Sequence, residues 1–207
     1  MHDPQEGVVR QAEMAFGLSD LHLVHRLDDG TSGCLILATN RAAAAHFELL
    51  FRTHQVQKYY LALSDKKPKK KQGSILGDMK NRRQGQHILL KSRHNPAITQ
   101  FFSYGFDGAP RAFVVRPLSG KTHQIRVALK SLGSPILGDA LYAGTHSDRL
   151  YLHAWGVAFQ WHGESIAVFS CPQQGEAFIN PVFSTWLKNQ SDPALLPWPT
   201  APGKPNA

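Results

Sequence analysis

The chain is 207 residues long, 42% hydrophobic and 18% charged, a folded rather than disordered composition with room for one well-cored domain. Its 23 Lys and Arg against 15 Asp and Glu leave a net charge of +8, which favours a polyanionic partner such as RNA, DNA or an anionic membrane surface. No apolar run approaches the roughly 18–20 residues of a bilayer span, no secretory signal opens the chain, and the distant Cys34 and Cys171 form no CxxC, so a cytoplasmic protein is expected.

Residues 8–16, followed by Gly17, have the pattern of a short helix. Strands are expected over 21–27 and 33–38, with Asp28-Asp29-Gly30-Thr31-Ser32 as turn chemistry between them. Asn40 caps a helix reaching about Arg52, with Ala43, Phe47, Leu50 and Phe51 on one stripe. Residues 59–63 return to strand composition. The run Lys66-Lys67-Pro68-Lys69-Lys70-Lys71 then interrupts the pattern; it suits a solvated loop, with a contact to RNA phosphates as the competing use. Three strands are expected over 88–91, 97–104 and 112–116. A helix capped by Thr122 runs to Leu132, where Gly133 and Pro135 stop it. Strands over 149–155 and 165–170 and a helix opened by Asn180-Pro181 complete a domain spanning 1–189. From 190 to 207, five prolines predict a tail that is extended, loosely packed or disordered. Without regular βαβ alternation, the fold class is α+β around a mixed, largely antiparallel sheet with flanking helices.

Two stretches have composition suited to chemistry. In His25-Arg26-Leu27-Asp28-Asp29-Gly30-Thr31-Ser32-Gly33, Arg26 and Asp28 share a face of any extended segment, and a strand-end carboxylate beside glycine and small hydroxyls is placed to reach a ligand. The bland alternative is a strand ending in an Asp-Gly turn. A dehalogenase-type DxDGT loop fails, because its nucleophile would fall on Leu27. Further on, Ser119-Gly120-Lys121-Thr122 looks like part of a phosphate loop, but Val115 stands where a Walker A glycine is needed. What is left is a polar turn entering a helix, with Lys121 close to free backbone donors. The histidine pairs His22/His25 and His87/His94 lack further ligands at metal-binding spacing, so no metal is expected.

Together these segments resemble the RluA-type RNA pseudouridine synthases. Residues 25–33 satisfy H-R-L-D-x-x-T-S-G, Lys58 to Ala62 satisfy K-x-Y-x-A, and Thr122 to Val127 satisfy T-H-Q-I-R-V. Leu132-Gly133, Pro135 to Asp139 and Tyr142 follow the pattern L-G-H-P-I-x-G-D-x-x-Y, and Leu152-His153-Ala154 matches a later L-H-A. The order of five such segments is specific where a lone HRLD is not.

The resemblance implies a synthase fold with a central basic cleft, RNA (ribosomal or transfer) as substrate, no cofactor and a monomeric state. It implies that Asp28 is the catalytic aspartate, that Tyr60 is the active-site tyrosine and that Arg126 pairs with the aspartate. Arg26 would enter the RNA stack vacated by the target, Ile125 would lie beside the base, and His25, Thr31, Lys58 and Lys121 would contact substrate or RNA. An opposed guanidinium is what keeps a half-buried carboxylate charged. Two family features have no counterpart: a strand with N/D-K-P-x-G-x-x-x-H expected before Met1-His2, and an S4 RNA-binding domain. Ala128 and Ser134 also replace histidines common in relatives. These gaps leave a non-catalytic RNA-binding protein with the synthase fold as the alternative function.

Overall fold

A computed structural model describes residues 4–200. Helix α1 (Pro4–Phe16) leads to three two-residue strands, β1 (His22–Leu23), β2 (Ser32–Gly33) and β3 (Leu37–Ala38). Helix α2 (Arg41–Arg52) starts where the Asn40 side chain accepts the Ala43 amide at 2.8 Å, as the sequence predicts. Strands β4 (Gln57–Ser64) and β5 (Gln72–Gly77), the short hairpin of β6 (Met79–Asn81) and β7 (His87–Leu89), then β8 (Ala97–Tyr104) and β9 (Arg111–Pro117) follow. Helix α3 (Gln124–Ser131), the long strand β10 (Leu152–Trp161), β11 (Glu164–Phe169), α4 (Glu176–Ile179) and α5 (Pro181–Lys188) complete the order.

The main sheet runs β11-β10-β4-β9-β8-β5 in antiparallel pairs, and β2 joins the start of β10 in parallel. This is the expected α+β architecture. Leu61, Ala62 and Leu63 of β4 are all fully buried, since α3 and α5 help cover the core that β4 crosses. A strand covered on both faces reads as a continuous apolar run rather than an alternating one. Helix α2 lies elsewhere: Phe47 stacks on Trp161 at 4.9 Å and meets Phe159 edge-on, pinning the helix to the far end of β10. Tyr59 and Trp155 are buried, whereas Cys34, Trp161 and Trp186 are half-buried.

Several expected elements take another form. The strands over 21–27 and 33–38 shrink to two-residue pairings, because the backbone between them is recruited into a loop described below. Strand β10 starts and ends later than expected, as Gly156 to Trp161 pair with β11. Strands β5 and β6 have little strand propensity in Gln72-Gly73-Ser74 or Met79-Lys80-Asn81; β5 forms because the outer edge of β8 offers unpaired backbone groups. Thr122 is not the cap of α3. That position is His123, in the left-handed region at φ 55°, and the buried Gln124 carboxamide closes the turn instead. At the other end Gly133 donates to Lys130 and Ser134 to Leu129, the Schellman ending for which Gly133 at φ 81° is suited.

The proline-rich tail is also packed where it is described. Pro193 is buried, Trp198 takes Arg116 over its ring at 4.6 Å, and Gln100 donates to the Pro199 carbonyl at 2.7 Å. Apolar Trp and Pro surface on the sheet outweighs the extended preference of the prolines. Residues 201–207 lie outside the described part. The expected loop at Lys66–Lys71 is present, with its five lysines exposed and Pro68 buried between them.

Candidate active site

The segment from His25 to Ile36 is a loop stitched at both ends. The Ile36 amide donates to His25 Nε2 at 2.8 Å, and the His25 ring packs on Phe51 at 4.9 Å. Ser32 pairs with His153 across the parallel contact of β2 and β10, its Oγ 2.8 Å from His153 Nδ1, and takes a bond from Arg149 Nη2 at 2.7 Å. Gly33 lies so close to β10 that a Cβ there would stand 2.2 Å from the Ala154 carbonyl oxygen, and its φ is 108°. Only glycine fits. Between these clasps, the Thr31 amide donates to the Asp28 carbonyl at 2.9 Å, a tight turn that holds the Asp28 side chain outward.

Asp28 and Thr31 from this loop, Lys58 and Tyr60 from β4, and Lys121 and Ile125 from the entry to α3 line one cavity of about 120 Å³. Arg26 lines it too and is otherwise exposed. Seven of the nine residues singled out in the sequence therefore converge. The Thr31 hydroxyl is buried without a hydrogen-bond partner. Burial, reinforced by the Asp28 charge, raises the Tyr60 phenol above its ordinary pKa, so the ring faces the cavity neutral.

His25 and Arg126 do not line the cavity. His25 is expected to contact RNA, but its Nε2 already accepts the Ile36 amide, and it serves the loop from behind. Burial, then the Lys58 charge, lower its pKa from 6.5 to about 4. An unfolded chain takes up that proton below about 6.5 and the folded one only near 4. Stability is therefore expected to fall on acidification across this window, by up to about 3 kcal/mol from His25. Burial lowers His123 and His153 as well, adding in the same direction. Urea unfolding at pH about 7.5 and about 4.5 checks this, and His25→Gln, whose carbonyl can still accept the Ile36 amide, should flatten the dependence.

Arg126 is expected against Asp28, but its direct partner is Asp139. Nε donates to Oδ2 at 2.8 Å and Nη2 to Oδ1 at 2.7 Å, with both residues buried. Burial alone would lower the Arg126 pKa; the Asp139 carboxylate, helped by Asp28 and Tyr142, outweighs it and leaves it raised. The guanidinium also sits over the Tyr142 ring at 5.0 Å, and the Tyr142 hydroxyl lies 2.9 Å from His123 Nδ1. Asp139 and Tyr142 belong to the L-G-x-P-I-x-G-D-x-x-Y segment, but its spacing shows no partner for either. Gln124 also lines the cavity, although the motif left it unassigned. It accepts from Ser119 Oγ and the Lys121 amide and donates to Ile98 and Thr99 of β8, fixing the cavity wall at Ser119–Thr122.

Against known proteins, the profile of the RNA pseudouridylate synthase family matches residues 2–131, from α1 through the end of α3. The chain belongs to this family. A Haemophilus influenzae protein named as an uncharacterized RNA pseudouridine synthase is 48% identical over 185 residues, covering 87% of this chain and 83% of the relative. The dual-specificity RNA pseudouridine synthase RluA of Escherichia coli is 35% identical over 141 residues, 63% of either chain. Among solved structures, human RNA Pseudouridylate Synthase Domain Containing 1 is similar at 27% identity with a TM-score of 0.66, over 79% of this chain and 73% of that one. The protein is thus an RluA-type RNA pseudouridine synthase, placed by its family among the isomerases that act on RNA. Among the described residues no helix is long and apolar enough to cross a membrane.

Proposed function

We propose that the synthase swings a uridine of a structured ribosomal or transfer RNA into the cavity, and that Asp28 acts there at the ribose to break and remake the link to the base. The observation that carries this is the convergence of Asp28, Tyr60 and Ile125 on one cavity with Arg26 exposed at its edge. Extruding a stacked nucleotide costs a few kcal/mol, which the Tyr60 face, Ile125 and a planar guanidinium filling the vacated stack offset. The C1′–N1 bond then breaks with a carboxylate close by, which either attacks C1′ or removes the C2′ proton. The uracil turns and is rejoined through C5. Arg126, locked by Asp139, supplies a cation that feels the Asp28 charge from outside the cavity lining.

The ribosomal choice is supported by a relative from Vibrio vulnificus named a ribosomal large subunit pseudouridine synthase, 35% identical over 161 residues. Mapping pseudouridines across cellular RNA by mass-shift labelling, with and without the gene, tests the proposal: one or a few sites should vanish from ribosomal or transfer RNA, and an unchanged map refutes it. The five exposed lysines between Lys66 and Lys71 are proposed to neutralise RNA phosphates. Replacing them with glutamine should flatten the log–log salt dependence of RNA binding by about one unit for each phosphate they neutralise. An unaltered slope would leave them as a solvated loop.

A further inference from the structure

Lys58 has no task in the scheme above. It stands on β4 two residues before Tyr60, so the two side chains leave the same face of the strand and enter the same cavity. Its ammonium makes no salt bridge: among the described residues those are His22 with Asp20 and Arg126 with Asp139. Burial lowers its pKa, and no carboxylate counteracts the burial. Its charge reaches His25 behind the loop, and its Nζ lies 3.9 Å from where a Cβ on Gly120 would be. The lysine thus lines the cavity beside the tyrosine and is more buried than Arg26, which is exposed. A desolvated cation without a counter-charge costs free energy that a strongly accepting or anionic ligand offsets.

We propose that Lys58 donates hydrogen bonds to the uracil ring and stabilises the negative charge the ring carries while it is detached from the ribose. This rests on the reading in which Asp28 is the reacting carboxylate. Either role for Asp28 requires the same charge: the C1′–N1 bond breaks with its electron pair on N1, leaving a uracil anion with charge shared by O2 and O4. C5 then supplies the pair for the new C1′–C5 bond as Asp28 leaves C1′ or returns the proton to C2′. The C5 proton is lost last and N1 gains one. Lys58 keeps its own proton throughout, acting as a fixed donor aimed where charge develops. A phosphate of the flipped nucleotide would stay with the RNA backbone, whereas Lys58 lines the same cavity as Tyr60 and Ile125, the residues proposed to hold the base.

The test uses the whole chain and a target RNA found by the mapping experiment, carrying either uridine or 5-fluorouridine at the target. Fluorine withdraws charge from the ring and makes it a better anion without help. Lys58→Met should slow single-turnover consumption of uridine on the order of 100-fold with little change in RNA affinity, and the loss should shrink roughly tenfold with 5-fluorouridine. Lys58→Gln carries the same comparison should the methionine variant not fold, as judged by its thermal midpoint. An equal loss on both RNAs, a loss confined to affinity, or no loss would overturn the proposal. Wild-type turnover and its disappearance in Asp28→Asn check the synthase reading separately, so failure of the lysine leaves that reading standing.

Discussion

Asp28→Asn is expected to cut single-turnover pseudouridine formation by at least roughly 10⁴-fold while the fold and the affinity for RNA stay close to wild type. Asparagine keeps the size of the side chain, and the turn that presents it is made by the backbone, through the Thr31 amide and the Asp28 carbonyl. What disappears is an oxygen able to attack C1′ or take a proton. A second measurement reports the missing charge without any turnover. Asp28 raises the His123 pKa against the burial that lowers it, so His123 should titrate lower still in the variant, as followed by its ring resonances. A variant that makes pseudouridine at the wild-type rate would remove Asp28 from the chemistry altogether.

The second large effect is expected at Asp139, which is buried outside the cavity lining. Asp139→Asn leaves the Arg126 guanidinium buried without its carboxylate, and breaking such a pair costs about 3–5 kcal/mol. For a chain of this size that is a drop in thermal midpoint of roughly 10 °C. The double variant Arg126→Met, Asp139→Leu should recover most of the stability, since apolar replacement of both partners relieves the desolvation of both charges. Turnover should not recover with it. Arg126 feels the Asp28 charge, and removing the guanidinium is expected to slow the reaction on the order of 100-fold. A urea midpoint for Asp139→Asn equal to wild type would show that the pair contributes nothing to the fold.

Arg126 shows how far sequence reasoning reaches. Its place in T-H-Q-I-R-V, through the family resemblance, marks it as the partner of Asp28, whereas its direct partner is Asp139. Spacing along a chain cannot rank two carboxylates that come from a loop about a hundred residues before and a turn thirteen residues after. His25 is a similar case. Its motif position suggests a hand on the substrate, but the nearest unsatisfied donor is the Ile36 amide, brought within 2.8 Å by the closing of the loop. Strand β5 is invisible for a related reason: Gln72-Gly73-Ser74 has no preference for a strand and acquires one only from the edge of β8.

Residue identity and order along the chain were enough for the fold class, the capped helix α2, the glycine-ended helix α3, and the set of side chains that meet in the cavity. Those features depend on local backbone preference, on the period of apolar residues and on motifs whose members keep their order when the chain folds. Tertiary structure alone decided which carboxylate holds Arg126, which histidine ties the loop, that the proline-rich segment lies on the sheet, and that the Lys58 ammonium lines the cavity without a salt bridge. Each of these is a contact between distant segments, whose energy depends on burial and on the nearest available donor or acceptor. Neither quantity exists until the sheet has closed around them.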